Sequence, residues 1–176
     1  MTERTAPATT RTPTPGTAPA TGAHTTDGVP HGVTSLTPHL VVRPAAEAIG
    51  FYERVLGARV VDVLGMGDLV GEASLDLGQG RFTLSDPLPA YGVVAPDPEA
   101  ATYSLAVHVR DVDATVERAV AAGATLREPV QTFVSGDRYG SVVDPYGVRW
   151  TVMCRVEDLS PEESARRVAA WVAEQG

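Results

Sequence analysis

The sequence predicts an α+β protein in which two tandem βαβββ modules form curled sheets around a groove with pseudo-twofold symmetry. Two observations carry this prediction. A strand–helix–strand–strand–strand pattern occurs twice, and the two helix ends match directly at Leu56-Gly57-Ala58 and Ala122-Gly123-Ala124. Arg43 and Arg110 also occupy equivalent places, because each closes the first strand of its copy.

A β-hairpin closes the second copy of the pattern. Apolar and β-branched residues flank the turn Asp144-Pro145-Tyr146-Gly147, in which Pro presets φ, Asp accepts a local hydrogen bond and Gly ends the turn. Alternation along the following strand separates two sets of side chains: Arg149, Thr151 and Met153 on one face, and Val148, Trp150 and Val152 on the other.

Composition limits the classes of function. The chain has 176 residues, 43% of them hydrophobic, which suits one ordinary domain or two small modules sharing a core. A net charge of −8 argues against nucleic acid and anionic membranes as partners. A single cysteine, Cys154, fits a reducing compartment. No apolar run approaches the roughly 20 residues of a membrane span and no signal peptide is visible, so a cytoplasmic protein is expected.

The first 32 residues differ in composition from the rest of the chain. They are rich in Thr, Pro, Ala and Gly without an apolar period, so we expect a disordered tail over residues 1–32. The folded domain is expected over residues 33–158. Its modules should span residues 36–86 and 102–154, joined by a Pro-rich linker at residues 87–101. A C-terminal helix is expected within residues 159–176.

The first module should begin with a strand from Leu36, where apolar residues recur at every second position. Pro44 is expected to open a helix that ends at Gly57. Glycine-rich turns then separate three further strands, predicted over residues 59–64, 72–77 and 81–85.

The second module repeats this order. A strand over residues 103–109 leads into a helix that starts near Val112, with Asp111 or Asp113 as its cap, and ends at Gly123. The predicted strands after this helix span residues 125–127, 133–135, 139–143 and 148–153.

The C-terminal helix has a strong start signal in Ser160-Pro161-Glu162-Glu163, which is typical of a capping box. Val168, Trp171 and Val172 give this helix an apolar stripe that needs a covering surface, either on its own domain or on a partner subunit. Because each module also leaves a sheet edge open, we expect a homodimer.

The repeat, the segment Phe51-Tyr52-Glu53-Arg54-Val55-Leu56-Gly57 and the Asp-Pro-Tyr-Gly turn together resemble the vicinal oxygen chelate superfamily. That superfamily includes glyoxalase I, bleomycin-resistance proteins and extradiol dioxygenases. The segment from Gly136 to Glu163 resembles its PhnB-like branch. The resemblance covers residues 33 to 163 and implies the fold, but one scaffold in this superfamily serves lyases, oxygenases and binding proteins.

The resemblance also implies where a metal would sit. Metal-dependent members place four His, Glu or Gln ligands on the first and last strands of each module, and these places fall on Thr37, Thr83, Ser104 and Thr151. Neutral hydroxyls are poor ligands for metals that prefer imidazole or carboxylate. The resemblance therefore implies neither a metal nor another cofactor at this position.

Two histidines are the candidates for chemistry. His39 shares a strand face with Thr37, and His108 shares one with Ser104, so both imidazoles are expected to enter one groove. Three interpretations stay open: each histidine bonds a local backbone group, it orients a ligand or acts as acid or base, or His39, Glu72 and His108 form a displaced metal clamp. His108 is favoured for ligand contact, because its neighbours on that face are small.

The predicted groove wall is otherwise polar, and a few placed donors suffice to orient an organic ligand. The predicted ligand-binding residues are Thr37, Glu72, Arg81, Thr83, Ser104, Arg149 and Thr151. The alternative is a polar sheet face that merely lines a wetted groove.

These observations favour a metal-free protein that binds a small organic molecule, for sequestration or self-resistance. A lyase, isomerase or cyclase that uses His39 or His108 as a base is the alternative from a different class. Metal-dependent glyoxalase or dioxygenase activity follows from the family resemblance alone, and the four hydroxyls oppose it. Whether the protein is an enzyme stays open at this point.

Overall fold

The computed structural model describes residues 22–34, 36–97 and 103–175. The chain divides into two units, residues 1–35 and residues 36–176. Most of the predicted disordered tail, residues 1–21, lies outside the described residues, as do residues 98–102 of the predicted linker.

The described part of the first unit differs from the expected structureless tail, because it contains a two-stranded antiparallel hairpin of β1 (Thr25–Thr26) and β2 (Val29–Pro30). The turn between them is Asp27-Gly28, and both residues have positive φ, 50° and 82°. An Asp-Gly pair is a strong local signal for such a turn. The composition of the surrounding sequence concealed that signal.

The first module contains the predicted order of elements: β3 (His39–Val41), α1 (Ala45–Leu56), β4 (Arg59–Met66), β5 (Leu69–Asp76) and β6 (Arg81–Ser85). Its sheet has the order β3-β6-β5-β4, with β3 parallel to β6 and the other pairs antiparallel. β3 is shorter than predicted, since the segment before it is not paired as strand and Leu36 is exposed. β4 and β5 are longer, because the tight turn falls after Met66.

Helix α1 packs one apolar stripe against the sheet and ends at Gly57, whose φ of 69° suits glycine. Pro44 is the residue before the helix, not its first residue as predicted. The helix start is capped from a distant position: the Asp86 carboxylate accepts the Ala45 N–H at 3.1 Å and the Val70 N–H at 2.9 Å. This buried carboxylate fixes the first helix to the sheet.

The second module contains β7 (Leu105–His108), α2 (Val112–Ala121), β8 (Thr125–Thr132), β9 (Asp137–Val143) and β10 (Arg149–Arg155), in the sheet order β7-β10-β9-β8. Asp111 is the cap of α2 and accepts the Ala114 N–H at 3.0 Å. The strand predicted at residues 133–135 is wrong: these residues form the turn between β8 and β9. β8 instead runs on past Pro129, with two register shifts that absorb the irregularity.

The last helix, α3 (Pro161–Gln175), begins as predicted, and Ser160 Oγ accepts the Glu163 N–H at 3.2 Å. Hydrogen bonds from Arg166 and Arg167 lower the pKa of Glu163 to about 2. Trp171 packs edge-on against Phe133 of the β8–β9 turn, with ring centroids 5.0 Å apart.

In the linker, residues Pro89–Tyr91 form a short 3₁₀ helix.

Within the second unit the two βαβββ modules are thus confirmed. Among the described residues, no helix has both the length and the apolar character needed to cross a membrane.

Candidate functional site

The apolar faces of both sheets meet in one core between the modules. Tyr52 of α1 lies edge-on to Phe82 of β6 and to Trp150 of β10, at centroid distances of 5.4 and 5.6 Å, and Phe82 and Trp150 are 5.8 Å apart. Val148, Trp150 and Val152 are buried as the alternation predicted. The opposite, polar faces of the two sheets are therefore turned away from this core.

A buried carboxylate sits inside the same core. Asp144, 3% exposed, accepts hydrogen bonds from the Tyr52 hydroxyl at 2.8 Å and from Trp150 Nε1 at 2.9 Å. Its other oxygen accepts the N–H groups of Tyr146 and Val148, each at 2.9 Å. Burial raises the pKa of Asp144 although these four donors oppose the rise. Burial and the nearby Asp144 raise the pKa of Tyr52 well above its ordinary value.

The polar face of the first module centres on His39. Its Nδ1 lies 2.7 Å from Thr83 Oγ1, and its Nε2 lies 3.1 Å from Ser85 Oγ. His39 and Thr83 are register neighbours on the parallel strands β3 and β6, which explains the contact. Because hydroxyls both donate and accept, this pair serves either tautomer of the imidazole. The bonds are to side chains, so the interpretation of a backbone-bonded His39 finds no support here.

Three other predicted residues of the first module have different surroundings. Arg81 lies 3.4 Å from Asp76, which also pairs with Arg59 at 2.8 Å. The pKa of Asp76 is lowered, chiefly by the hydrogen bond from the Gly78 N–H and then by Arg59 and Arg81. Glu72 is exposed on β5 opposite Leu64. Thr37 is half-buried just before β3.

The polar face of the second module has its own hydrogen-bonded network. Ser104 Oγ and Thr151 Oγ1 are 3.1 Å apart. Arg149 Nη2 donates to Glu128 Oε2 at 2.8 Å and to Ser141 Oγ at 3.1 Å, and Ser141 donates to Glu128 at 2.5 Å. Neither Glu128 nor Ser141 was predicted as a site residue; Glu128 lies beyond residue 127, where β8 was predicted to end.

His108 lies at the end of β7, beside Met153 of β10, and is exposed. It lines a cleft of about 1080 Å³, here called the edge cleft, which runs along β7 between the modules. Its other walls are the end of α1, the β5–β6 turn and the first turns of α2; the lining includes Arg54, Gly57, Gly78, Gly80, Arg110 and Arg118. Ser104, Thr151 and His39 are not part of this lining.

The structure therefore does not bring the predicted site residues into one group. His39 and Thr83 form one group, Ser104 with Thr151 a second, Arg149 a third with Glu128, and His108 lies in the edge cleft. The open interpretation of a displaced metal clamp of His39, Glu72 and His108 finds no support: in the part of the chain that the structure describes, no three His, Cys, Asp or Glu side chains are placed to hold a metal.

Comparison with known proteins now identifies the family. The profile of the glyoxalase/bleomycin resistance protein/dioxygenase superfamily matches residues 21–152. The chain belongs to this superfamily. An uncharacterized protein of Mycobacterium bovis is 33% identical over 147 residues, which cover 81% of this chain and 94% of the relative. An uncharacterized protein of Mycobacterium tuberculosis is similarly 33% identical, over 84% of its own length.

Solved structures agree on the fold. A gene product of Arabidopsis thaliana aligns with a TM-score of 0.57 and 27% identity, over 68% of this chain and 97% of its own. TioX from Micromonospora sp. aligns with a TM-score of 0.55 and 23% identity, over 72% and 100%. A glyoxalase/bleomycin resistance protein/dioxygenase from Nocardioides aligns with a TM-score of 0.54 and 20% identity, over 73% and 87%.

The donor set does not fit the metal that some members of this superfamily bind. The family resemblance placed metal ligands at four positions. Of these, Thr83 is hydrogen-bonded to His39, and Ser104 and Thr151 are hydrogen-bonded to each other. Neutral hydroxyls that already share a hydrogen bond offer little charge or basicity to a divalent cation. The chemistry of this site is hydrogen bonding.

Proposed function

We propose that this protein binds a small organic molecule on its polar sheet faces without a metal, and that it sequesters this molecule. The observation that carries the proposal is the group formed by His39, Thr83 and Ser85, an imidazole held between two hydroxyls at 2.7 and 3.1 Å. Such groups exchange donor and acceptor roles and so can meet the polar atoms of an organic ligand. The superfamily includes bleomycin resistance proteins, which favours self-resistance as the biological setting.

A second copy of the chain supplies the missing wall in this proposal. In one chain the apolar faces are used in the inter-module core, and on the polar faces His39 is exposed and Thr83 and Thr151 are half-buried. β3 and β7 are edge strands of their sheets. A homodimer that lays the first-module face of one copy over the second-module face of the other would enclose His39 and Thr151 in one groove. The single cysteine agrees with a reducing, cytoplasmic setting.

An enzyme is the second candidate, and His108 is the observation that favours it. This imidazole is exposed, and within the described part of the chain it has no hydrogen-bond or ion-pair partner. It is therefore available as a base for a lyase, isomerase or cyclase. If it is one, His108→Ala lowers turnover by about 10²–10⁴ and leaves ligand affinity nearly unchanged.

Native mass spectrometry of the full chain, purified without added ligand, tests the binding proposal. We expect an organic molecule that stays bound in the native state and is released on denaturation, together with a divalent metal content far below one per chain. Retention of about one zinc, nickel, manganese or iron per chain, with loss of ligand binding after chelation, would overturn the metal-free assignment.

Substitutions then locate the ligand. Thr83→Val removes the hydroxyl that faces His39 and keeps the β-branched shape, so we expect affinity for the co-purified molecule to fall about tenfold. Thr125→Val is the matched control, because Thr125 is exposed on β8, at the far edge of the other sheet. Equal affinities for Thr83→Val and wild type, measured by calorimetry, would remove this face from the site.

A further inference from the structure

We propose that the edge cleft binds an anionic oxygen group, a carboxylate or a phosphate, of a small molecule. The cleft lies between the modules, along the open side of β7, and is distinct from the His39 group. Its volume of about 1080 Å³ is ample for a small organic molecule. The inference does not depend on the function proposed for the sheet faces.

The charge of the cleft is opposite to that of the chain. Three arginines and one histidine line it against one aspartate, in a protein whose net charge is −8. That aspartate, Asp111, is already engaged as the cap of α2. The next carboxylate along the helix, Asp113, is paired with Arg138 on the far strand β9. A local excess of cations on an acidic protein concentrates anions at that place.

The four basic side chains of the cleft differ in how free they are. Arg118 is anchored, since its Nη2 donates to the Val55 carbonyl at 3.3 Å and to Thr115 Oγ1 at 2.9 Å. One guanidinium nitrogen of Arg54 leans back toward Gly50. The side chains of Arg110 and His108 have no hydrogen-bond or ion-pair partner among the described residues. Arg110 and His108 are therefore the donors available to a ligand, with Arg118 fixed behind them.

The backbone keeps Arg110 in place and leaves room in front of it. The Val109 N–H donates to the Met153 carbonyl at 2.9 Å, so the ladder of β7 continues to the residue before Arg110. The opposite wall includes Gly57, Gly78 and Gly80, where an added Cβ would meet no atom within 4 Å. An arginine fork on a fixed backbone, facing an open wall, suits a planar carboxylate or a phosphate, which accept its parallel N–H bonds.

Two-dimensional NMR of the full chain tests this site with inorganic phosphate and acetate as separate probes, at an ionic strength held constant with chloride. We expect saturable shifts of the Gly78, Gly80 and Arg110 amides with at least one probe. The probe that saturates at the lower concentration identifies phosphate or carboxylate as the preferred group. Absence of saturable shifts with both probes would overturn the proposal.

Substitutions make the test specific. Arg110→Gln should weaken binding of the saturating probe about tenfold. Arg110→Lys should weaken binding less, because lysine keeps the charge and loses only the planar fork of donors. Arg43→Gln is the matched control, since Arg43 follows the first strand of the other module and its substitution makes the same change in net charge. Equal weakening by Arg43→Gln would show nonspecific attraction and contradict the site. Unchanged melting temperatures without probe exclude misfolding.

One further variant separates the edge cleft from the His39 group. His39→Ala should leave phosphate or acetate affinity within twofold of wild type, because His39 does not line the edge cleft. A loss of anion affinity in His39→Ala would merge the two sites and overturn a distinct edge cleft. Failure to find an organic ligand on the sheet faces leaves the result for the edge cleft unaffected.

Discussion

At the scale of single residues, Asp144 joins the two modules. Its carboxylate receives one donor from helix α1 of the first module and one from β10 of the second, besides two from its own turn. The sequence predicted the turn and a local hydrogen bond for this aspartate. It did not predict the partner Tyr52, because a contact across 92 positions leaves no local pattern. The same residue therefore shapes the hairpin and fixes the modules to each other.

Asp144→Asn should destabilise the fold by about 2–6 kcal/mol. The amide offers one accepting oxygen where the carboxylate offers two, so about two of the four buried donors lose their partner at about 1–3 kcal/mol each. Urea unfolding at neutral pH measures the change. Asp113→Asn is the control, because it breaks an exposed ion pair with Arg138, which solvent screens, and its effect on stability should be far smaller. Equal stability of Asp144→Asn and wild type would contradict the role of Asp144 as a joint.

At the scale of elements, the sequence predicts which helices and strands exist better than it predicts their lengths. α1, α2 and α3 follow from capping residues and apolar spacing, and each is present. β8 was predicted too short, because a proline such as Pro129 is typical of a strand end. The register shifts that accommodate this proline depend on the neighbouring strand β9. Asp86 was predicted only as the last residue of the first module, but it caps α1 through space. Such errors arise where a partner strand or a distant helix end decides the local structure.

Helix α3 is attached to the domain by few contacts and should open before the rest unfolds. Its ties are the Ser164 hydroxyl to the Ser135 carbonyl at 2.9 Å, the ion pair of Arg167 with Glu157 and the edge-on stack of Trp171 on Phe133. Trp171→Ala should therefore speed amide hydrogen exchange across residues 161–175 and leave exchange in β9 and β10 unchanged. Val172→Ala is the control, since Val172 is more exposed and has no aromatic partner. Parallel acceleration in β10 would show that α3 opens only with the core.

At the scale of the whole molecule, the two-module fold was predictable because its signals are local and repeated: matching helix ends, one strong turn and strand alternation. The relation between the two polar faces was not. Alternation correctly separated apolar from polar faces, but it does not determine which faces meet. Packing among Tyr52, Phe82 and Trp150 brings the apolar faces together, and His39 does not line the cleft that contains His108. A repeat alone is compatible with either arrangement of the faces.

The outward polar faces and open edges lead to the expectation of a homodimer. The β4–β5 hairpin exposes apolar side chains that a partner would cover: Val61, Val63, Leu64, Met66 and Leu69. A stable interface of about 800 Å² on each copy needs such a patch beside the polar face. Light scattering at tens of micromolar should give twice the chain mass of 18.5 kDa.

Leu64→Asp should shift the protein toward the monomer. Leu64 is 61% exposed on β4, and in the dimer the partner would have to bury the unpaired carboxylate that replaces it. Its melting temperature at low concentration should change little, since the side chain is not part of the core. Val94→Asp is the control: Val94 is 66% exposed in the linker, outside the predicted interface. A wild-type monomer at these concentrations would contradict the dimer, and the organic ligand would then have to bind a face open to solvent.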